Sequence, residues 1–310
     1  MFIRKEYIYK IANGVPIKAD VYFKKTLSRQ KSPIALHFHG GNFTVGSKDM
    51  LSQHQVTDLV DKGFVVASPN YRLCPTITVH DGPVTDALDA YDWCQTKLPD
   101  LLQNDAGITV DGFRIVTFGQ SCGAALALST AALPNPPLAI LDLYGMKYFN
   151  DQSFHTALPP PPTDSPTFEN SFLSQIWKDV PPPSSAPPPM GPAGPDFSNP
   201  RVAWMFDVLG KGLLMKEVVR DGNYERVDPA RLFSKGRFPP TYFIHGAKDF
   251  LVPAELSQRA HDELENAGAE TELVIIEGGQ HGFDESAEPG SYVFDVVSKG
   301  FEFLRTHAEI

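Results

Sequence analysis

The sequence predicts an α/β fold, a mostly parallel central sheet covered by helices on both faces, and three observations lead there. Short runs of β-branched and aromatic residues alternate with amphipathic segments along most of the 310 residues, the pattern of strands joined by helical crossovers. One strand, Phe113 to Phe118, runs into Gly119-Gln120-Ser121-Cys122-Gly123 and then into the small, helix-favouring Ala124 to Leu128, so a serine sits on a tight strand-to-helix turn. Two later strands are followed by Asp249 and then His281.

Taken in order, Tyr7 to Tyr9 and Val15 to Phe23 alternate apolar and polar residues around Asn13-Gly14, which reads as an antiparallel hairpin. Lys24 to Ser32 is a polar turn. Pro33 to Phe38 is a short apolar strand ending in His39-Gly40-Gly41-Asn42-Phe43, a loop whose two glycines allow backbone to approach a ligand closely. Lys48 to Lys62 is a helix closed by Gly63, Phe64 to Ser68 the next buried strand, and Tyr71 to Pro75 the turn after it. Val84, Ala87, Leu88 and Tyr91 place an apolar face on a helix running to about Leu98. The serine turn follows, then a strand at Leu138 to Leu143.

Between about Gly145 and Leu232 the alternation stops. Pro159 to Pro162 and Pro181 to Pro195 are too proline-dense for helix or central strand and read as extended connectors. Ser165-Pro166 can cap a helix carrying Phe168, Phe172 and Ile176, and Asn199-Pro200 can cap another carrying Val202, Met205, Phe206, Leu209 and Leu213. Two faces this aromatic need something to bury against, so 145–232 is expected to fold over the sheet as a cap, not to hang as a disordered linker. Alternation then resumes: strand Thr241 to Ile244, helix Pro253 to Ala267, strand Thr271 to Ile276 and a final helix from Ser291 to Leu304. The expected division is a core of 1–144 and 233–310 with the cap inserted at 145–232.

Composition narrows the function classes. A formal net charge of −10 and the lack of any basic run argue against a nucleic-acid or anionic-membrane surface. Met1 to Lys10 holds no apolar signal-peptide core, and no stretch is long and apolar enough for stable membrane insertion. Three cysteines, Cys74, Cys94 and Cys122, suit neither a disulfide framework nor a zinc site. A cytoplasmic monomer or homodimer with a small-molecule partner is the expectation. His37 and His39 form an H-x-H pair that invites a zinc reading, but no further ligand follows in the loop, so no metal or cofactor is expected and His37 reads as a packed strand residue.

Ser121 is a poor nucleophile unless a base takes its proton, and the base needs a third group to orient it. His281, in Gly278-Gly279-Gln280-His281-Gly282-Phe283, and Asp249, in His245-Gly246-Ala247-Lys248-Asp249, each follow a separate strand. Loops at the carboxyl ends of parallel strands converge, so serine, carboxylate and imidazole can meet at one rim. Asp142, Glu277 and Asp284 are rival acids whose positions suit solvated turns. Cys122 could be a second nucleophile or a redox switch, or a small side chain tucked beside the turn. Phe172, Trp177, Trp204, Met205 and Phe206 could line a pocket or simply form the core of the cap.

His39-Gly40-Gly41, Tyr71-Arg72-Leu73-Cys74-Pro75, Gly119-Gln120-Ser121-Cys122-Gly123, Asp249 and the segment through His281-Gly282-Phe283 together resemble α/β-hydrolases of the hormone-sensitive-lipase type, a family of serine carboxylesterases. The resemblance covers the chain outside the proline-rich insertion and extends to hydrolases of fungal biosynthetic pathways. It implies the α/β-hydrolase fold, Ser121 as nucleophile, His281 as general base and acid, Asp249 as orienting carboxylate, and Gly40, Gly41, Asn42 and Cys122 as an oxyanion hole. The expected activity is hydrolysis of small to medium hydrophobic esters. Amidase, thioesterase, cyclase or eliminating activity from the same triad is the alternative, and a ligand receptor on a dead scaffold is disfavoured because no triad member is missing. Three positions depart from the family: Asn42 replaces a third glycine, Gln120 an acid and Cys122 an alanine. Backbone donors survive such changes, so substrate preference is affected more than the reaction.

Overall fold

A computed structural model describes residues 2–25, 31–159, 167–191 and 194–309. Among the described residues eight strands form one sheet: β1 (Ile3–Ala12), β2 (Val15–Phe23), β3 (Ser32–Phe38), β4 (Val65–Pro69), β5 (Val110–Gln120), β6 (Ile140–Leu143), β7 (Thr241–Gly246) and β8 (Thr271–Ile276), in the spatial order β1-β2-β4-β3-β5-β6-β7-β8. The hairpin β1/β2 and the pair β2/β4 are antiparallel, and all pairs from β4 through β8 are parallel. The chain leaves β3 for β4 on one side and returns for β5 on the other. Loops after β3 and β5 therefore part company, and such a switch point opens a crevice at the carboxyl ends of the strands.

Alternate residues of the central strands feed two separate cores. Ile34, Leu36 and Ile115 pack with the helices Thr85–Thr96, Leu98–Ala106, Cys122–Ser129 and Ala254–Asn266, while Ala35 and Val116 face Gln53–Asp61 and Tyr292–His307. That two-residue alternation with apolar side chains on both faces is what a doubly covered parallel sheet requires. Among the described residues, no helix is long and apolar enough to cross a membrane.

The helix expected at 48–62 is divided. A 3-10 turn, Lys48–Met50, precedes the α-helix Gln53–Asp61, because the Ser52 hydroxyl accepts the His54 N–H and starts the helix there. The helix expected to end near Leu98 ends at Thr96, and a further helix, Leu98–Ala106, follows with a proline in its first turn and Gly107 (φ 68°) closing it. At that helix start the missing N–H of Pro99 removes nothing.

Between β6 and β7 the chain folds into short helices, including Asn170–Leu173, which continues as a 3-10 turn to Lys178, Pro200–Gly210 and Leu214–Val219. The Asn199 side chain accepts N–H groups of Arg201 and Val202, as its sequence position suggested, with Pro200 opening the helix. Leu173, Ile176, Val202, Met205, Val208, Leu214 and Met215 are buried and join the larger of the two cores. Leu213, expected on the helix face, falls past its end and is exposed. The proposed cap Ser165-Pro166, Pro160 to Pro162 and Pro192 lie outside the described residues, as does part of the polar turn at 24–32. The described part of the proline-dense stretch is tied to neighbouring loops through its backbone: Pro183 O accepts Leu73 N–H, Ala186 N–H donates to Gly46 O, and Gly46 N–H donates to Pro187 O.

Two features in and just after β3 tie the fold to its surroundings. A Cβ on Gly123 would lie 2.1 Å from the Phe38 carbonyl oxygen, closer than any real contact, so β3 and the helix Cys122–Ser129 touch only because residue 123 has no side chain. Gly123→Ala should force them apart and lower stability by about 3 kcal/mol, the upper range for overpacking, seen as a reduced urea midpoint. The second is the burial of His37 and His39, both 0% exposed. Burial lowers His37 to about 3, against a bond to Gln120, and lowers His39 to about 4, whereas in the unfolded chain each titrates at ~6.5. Between those values the unfolded state binds protons that the folded state refuses, so stability falls as pH falls. Urea unfolding should show a loss of about 2 kcal/mol per histidine between pH ~6.5 and ~5, and a flat profile over that range would contradict it.

Candidate active site

Ser121 follows the last residue of β5 with φ 54° and ψ −124°, a backbone state that L-residues rarely occupy and that persists only when the surroundings enforce it. Here they do. Ser121 N–H donates to Leu143 O, Met146 N–H donates to Ser121 O, and the flanking glycines are sterically compelled, since a Cβ on Gly119 would meet Gly123 C and O at 2.5 Å. The turn projects Ser121 Oγ at the carboxyl rim, ahead of the helix Cys122–Ser129, whose N-terminus favours negative charge.

The loops after β7 and β8 meet backbone to backbone. A Cβ on Gly246 would lie 2.4 Å from Gly279 O, Lys248 N–H donates to Gly279 O, and Ala247 N–H donates to Ile276 O. This pins the segment bearing Asp249 against the one bearing His281. His281 Nδ1 lies 2.7 Å from Asp249 Oδ2, and its Nε2 lies 3.0 Å from Ser121 Oγ, so the three residues that the sequence proposed form one hydrogen-bonded row. Asp249 Oδ1 accepts the N–H groups of Leu251 and Val252 at 2.9 Å each. Burial pulls the Asp249 carboxyl upward, but donors from His245 and His281 outweigh it and hold it below the usual carboxylate range.

The loop after β3 lies directly against this row. A Cβ on Gly40 would be 3.4 Å from Ser121 Cβ, and one on Gly41 (φ 113°) would be 2.2 Å from Val45 O. Asn42 and Phe43 both take positive φ, and Thr44 and Val45 N–H groups fold back onto Gly41 O. The Cys122 thiol sits beneath: its sulfur accepts Phe43 N–H at 3.2 Å and stands 3.8 Å from the Tyr71 hydroxyl. Burial pushes that thiol up to about 11, which makes it a packed, protonated group and not the second nucleophile or redox switch considered from sequence.

Of the rival acids, Glu277 is exposed as expected, but Asp142 and Asp284 are buried, correcting their placement in solvated turns. Asp142 faces Lys147 at 3.1 Å, and Asp284 accepts from Tyr144, Gln55 and Gln120. Neither reaches His281 Nδ1, which Asp249 occupies. Gln120, standing where an acid was expected, uses both ends of its amide, with Oε1 at 2.7 Å from His37 Nε2 and Nε2 at 3.3 Å from Gln55 Oε1 and Asp284 Oδ2. His37 is thus committed to Gln120 and Ser68, and among the described residues no cluster of three or more His, Cys, Asp or Glu suits a metal ion.

A narrow cleft leads to His281 and Asn42 between Met146, Phe154, Leu209 and Met215. None of Phe172, Trp177, Trp204, Met205 or Phe206 lines it. Met205 instead receives the Asn42 side-chain N–H at 3.2 Å, and Trp177 is 42% exposed. Helical periodicity located the apolar face but not which part of it borders the cleft. Arg201 also escaped notice: its guanidinium donates to Thr44 O and Cys74 O and pairs with Asp179, fastening the helix Pro200–Gly210 to the loop after β3.

Comparisons with known proteins bear on the fold that carries these residues. The sequence profile of a family described by the α/β hydrolase fold matches residues 35–187. Over 97% of its length the chain is 31% identical to part of the non-reducing polyketide synthase ausA of Emericella nidulans, of which it spans 14%. Over 96% it is 29% identical to part of mapC' of Penicillium brevicompactum, of which it spans 15%. Among solved structures, Thermogutta terrifontis esterase 2 phosphonylated by sarin superposes with a TM-score of 0.63 at 19% identity, over 96% of this chain and 91% of that one. An α/β hydrolase superfamily protein from Enterococcus faecalis superposes with a TM-score of 0.69 at 16% identity, over 98% and 99%. Sheet order, the glycine-flanked serine turn at the end of β5 and these likenesses agree, and the chain belongs to the α/β-hydrolase superfamily.

Proposed function

We propose that the protein is a serine hydrolase that cleaves carboxylic esters through an acyl-enzyme. The observation that carries this reading is the unbroken row from Ser121 Oγ through His281 to Asp249 Oδ2, with links of 3.0 and 2.7 Å. Ser121 Oγ attacks the ester carbonyl while His281 Nε2 takes its proton, and the Asp249 carboxylate, kept ionised by its donors, holds the ring and stabilises the imidazolium. The developing oxyanion is held, in this reading, by the amides of Gly40, Gly41 and Asn42 from the loop after β3 and of Cys122 from the residue that follows the serine. His281 then protonates the leaving alcohol, and water enters by the same route to release the acid. No cofactor or metal is called for by any step.

Residues 145–232 serve as the cap in this reading. Met146, Phe154, Leu209 and Met215 border the cleft and favour an apolar acyl group of modest size over a long fatty chain. Arg201 and the extended prolines at 183–187 bind the cap to the loop after β3, so the oxyanion amides keep their aim while substrate enters.

A second reading is favoured by one observation, the likeness of nearly the whole chain to parts of non-reducing polyketide synthases. The same row would then act on an acyl thioester in a biosynthetic setting, releasing or transferring the acyl group. A thioester has a better leaving group and needs the same nucleophile and oxyanion donors.

Ser121→Ala should lower turnover by roughly 10⁴ to 10⁶ without changing the unfolding midpoint appreciably, and a fluorophosphonate should label the wild type but not the variant. Labelling that persists in Ser121→Ala would refute Ser121 as the nucleophile. A panel of p-nitrophenyl esters beside N-acetylcysteamine thioesters of matched acyl groups divides the two readings. Fast turnover of short apolar esters supports the first, and uniformly slow esters with fast thioesters support the second.

A further inference from the structure

Asp249 accepts from two imidazoles, and the proposed reaction uses only one. His245, near the end of β7, has its Nε2 2.9 Å from Val252 O and 3.2 Å from Asp249 Oδ2. A carbonyl oxygen can only accept, so this nitrogen carries the hydrogen and Nδ1 is the ring's acceptor. Ser257 Oγ stands 2.7 Å from that Nδ1 and must donate to it. Its own acceptor capacity is met by Lys147 Nζ at 2.9 Å, and Lys147 completes its contacts with Gly145 O at 2.7 Å and Asp142 at 3.1 Å. Lys147, Ser257, His245 and Asp142 are each 0% exposed. The hydrogens therefore run from the ammonium to the hydroxyl and from the hydroxyl to the imidazole, whose own Nε2–H is shared between Val252 O and the Asp249 carboxylate.

Resting on the serine-hydrolase reading above, we infer that Lys147, Ser257 and His245 are positioning residues that fix Asp249 Oδ2 and draw part of its charge away from His281. Packing alone does not account for them. A lysine without solvent contact is costly unless its donors are met, and here one of the three is met only through a sequence of polar groups whose far end is the proposed triad acid. Burial lowers the Lys147 ammonium from its ordinary range while the charge of Asp142 opposes that shift, and Asp228 and Asp249 also act on it in the charged form's favour. The relay gives the carboxylate a second donor opposite His281. The ring then shares the negative charge and does not receive all of it.

The groups facing His281 are Asp249 from the loop after β7, Ser121 from the elbow, the Tyr144 ring at 4.8 Å from the loop after β6, and Glu285 on its own loop. Removing the relay changes only the first. With its second donor gone in a His245 variant, or no longer polarised by Ser257 in Ser257→Ala, Asp249 concentrates its charge on His281 and stabilises the imidazolium, so a higher pH is needed for the free base. A loosened Oδ2 also leaves the ring less well aimed in the transition state, which lowers kcat with little effect on KM.

The test compares Ser257→Ala, which interrupts the relay at its middle, with His245→Met, which removes the ring donor, and His245→Gln, whose amide can replace the Nε2–H. Rates on a p-nitrophenyl ester are measured from about pH 5 to 9, and competent sites are counted with a fluorophosphonate. In Ser257→Ala and His245→Met we expect kcat to fall about tenfold, the worth of one charge-assisted hydrogen bond, and the acidic limb of kcat/KM to move up by about half a pH unit, with His245→Gln returning both toward wild type. A slower enzyme whose acidic limb stays in place, or a limb restored no better by Gln than by Met, overturns the relay. A wild type that does not react with the fluorophosphonate overturns the serine-hydrolase reading instead. In that event the histidine ring resonances, with His281 assigned by His281→Gln, still decide the relay: its titration must move upward in Ser257→Ala.

Discussion

Backbone contact between the end of β3 and the start of the helix after β5 sets the rest of the structure. Phe38 O sits where the Cβ of any residue but glycine at 123 would be, and Gly119 and Gly123 leave no more room for each other. That closeness holds Ser121 at positive φ, puts its Oγ at the rim, and sets Gly40 so near that a Cβ there would lie 3.4 Å from Ser121 Cβ. The loop after β3 and the serine turn are one unit, made rigid by the absence of side chains where strands and helix converge.

A second such contact, Gly246 on Gly279, does for Asp249 and His281 what the first does for Ser121. Two glycine-to-backbone approaches, one on each side of β6, bring the three side chains into line across a sheet edge. Side-chain chemistry then differentiates carboxylates that the fold buries close together. Asp249 accepts two amides and two imidazoles, Asp142 faces a lysine and one amide, and Asp284 collects a phenol and two amide side chains. Each solution gives a buried carboxylate polar partners, but only the first presents it to the ring beside the serine.

The proline-dense stretch is a structural strap. Its backbone bonds alternate between Gly46 on one side and Leu73 on the other, and Arg201 adds a charged side chain whose hydrogens end on carbonyls of the same two loops. Proline suits this position because extended backbone with few N–H groups loses little there, and its stiffness lowers the entropy lost on ordering the strap.

The sequence by itself determined what depends on neighbours along the chain. Alternation of strand and helix patterns gave the sheet class, Asn199-Pro200 gave a helix start, and the spacing of Gly119, Ser121 and Gly123 gave the turn, because each is a local steric or hydrogen-bonding rule. The order serine, aspartate, histidine after successive strands also made the row legible, since parallel strands deliver their following loops to one edge. Tertiary structure alone decided the burial of Asp142 and Asp284, the tasks of Gln120, Lys147, Ser257, His245 and Arg201, and which apolar residues border the cleft. Those depend on partners such as Gln55 and Asp284 or Lys147 and Ser257, which lie 229 and 110 positions apart, and no periodicity records a hydrogen bond closed only when the sheet forms.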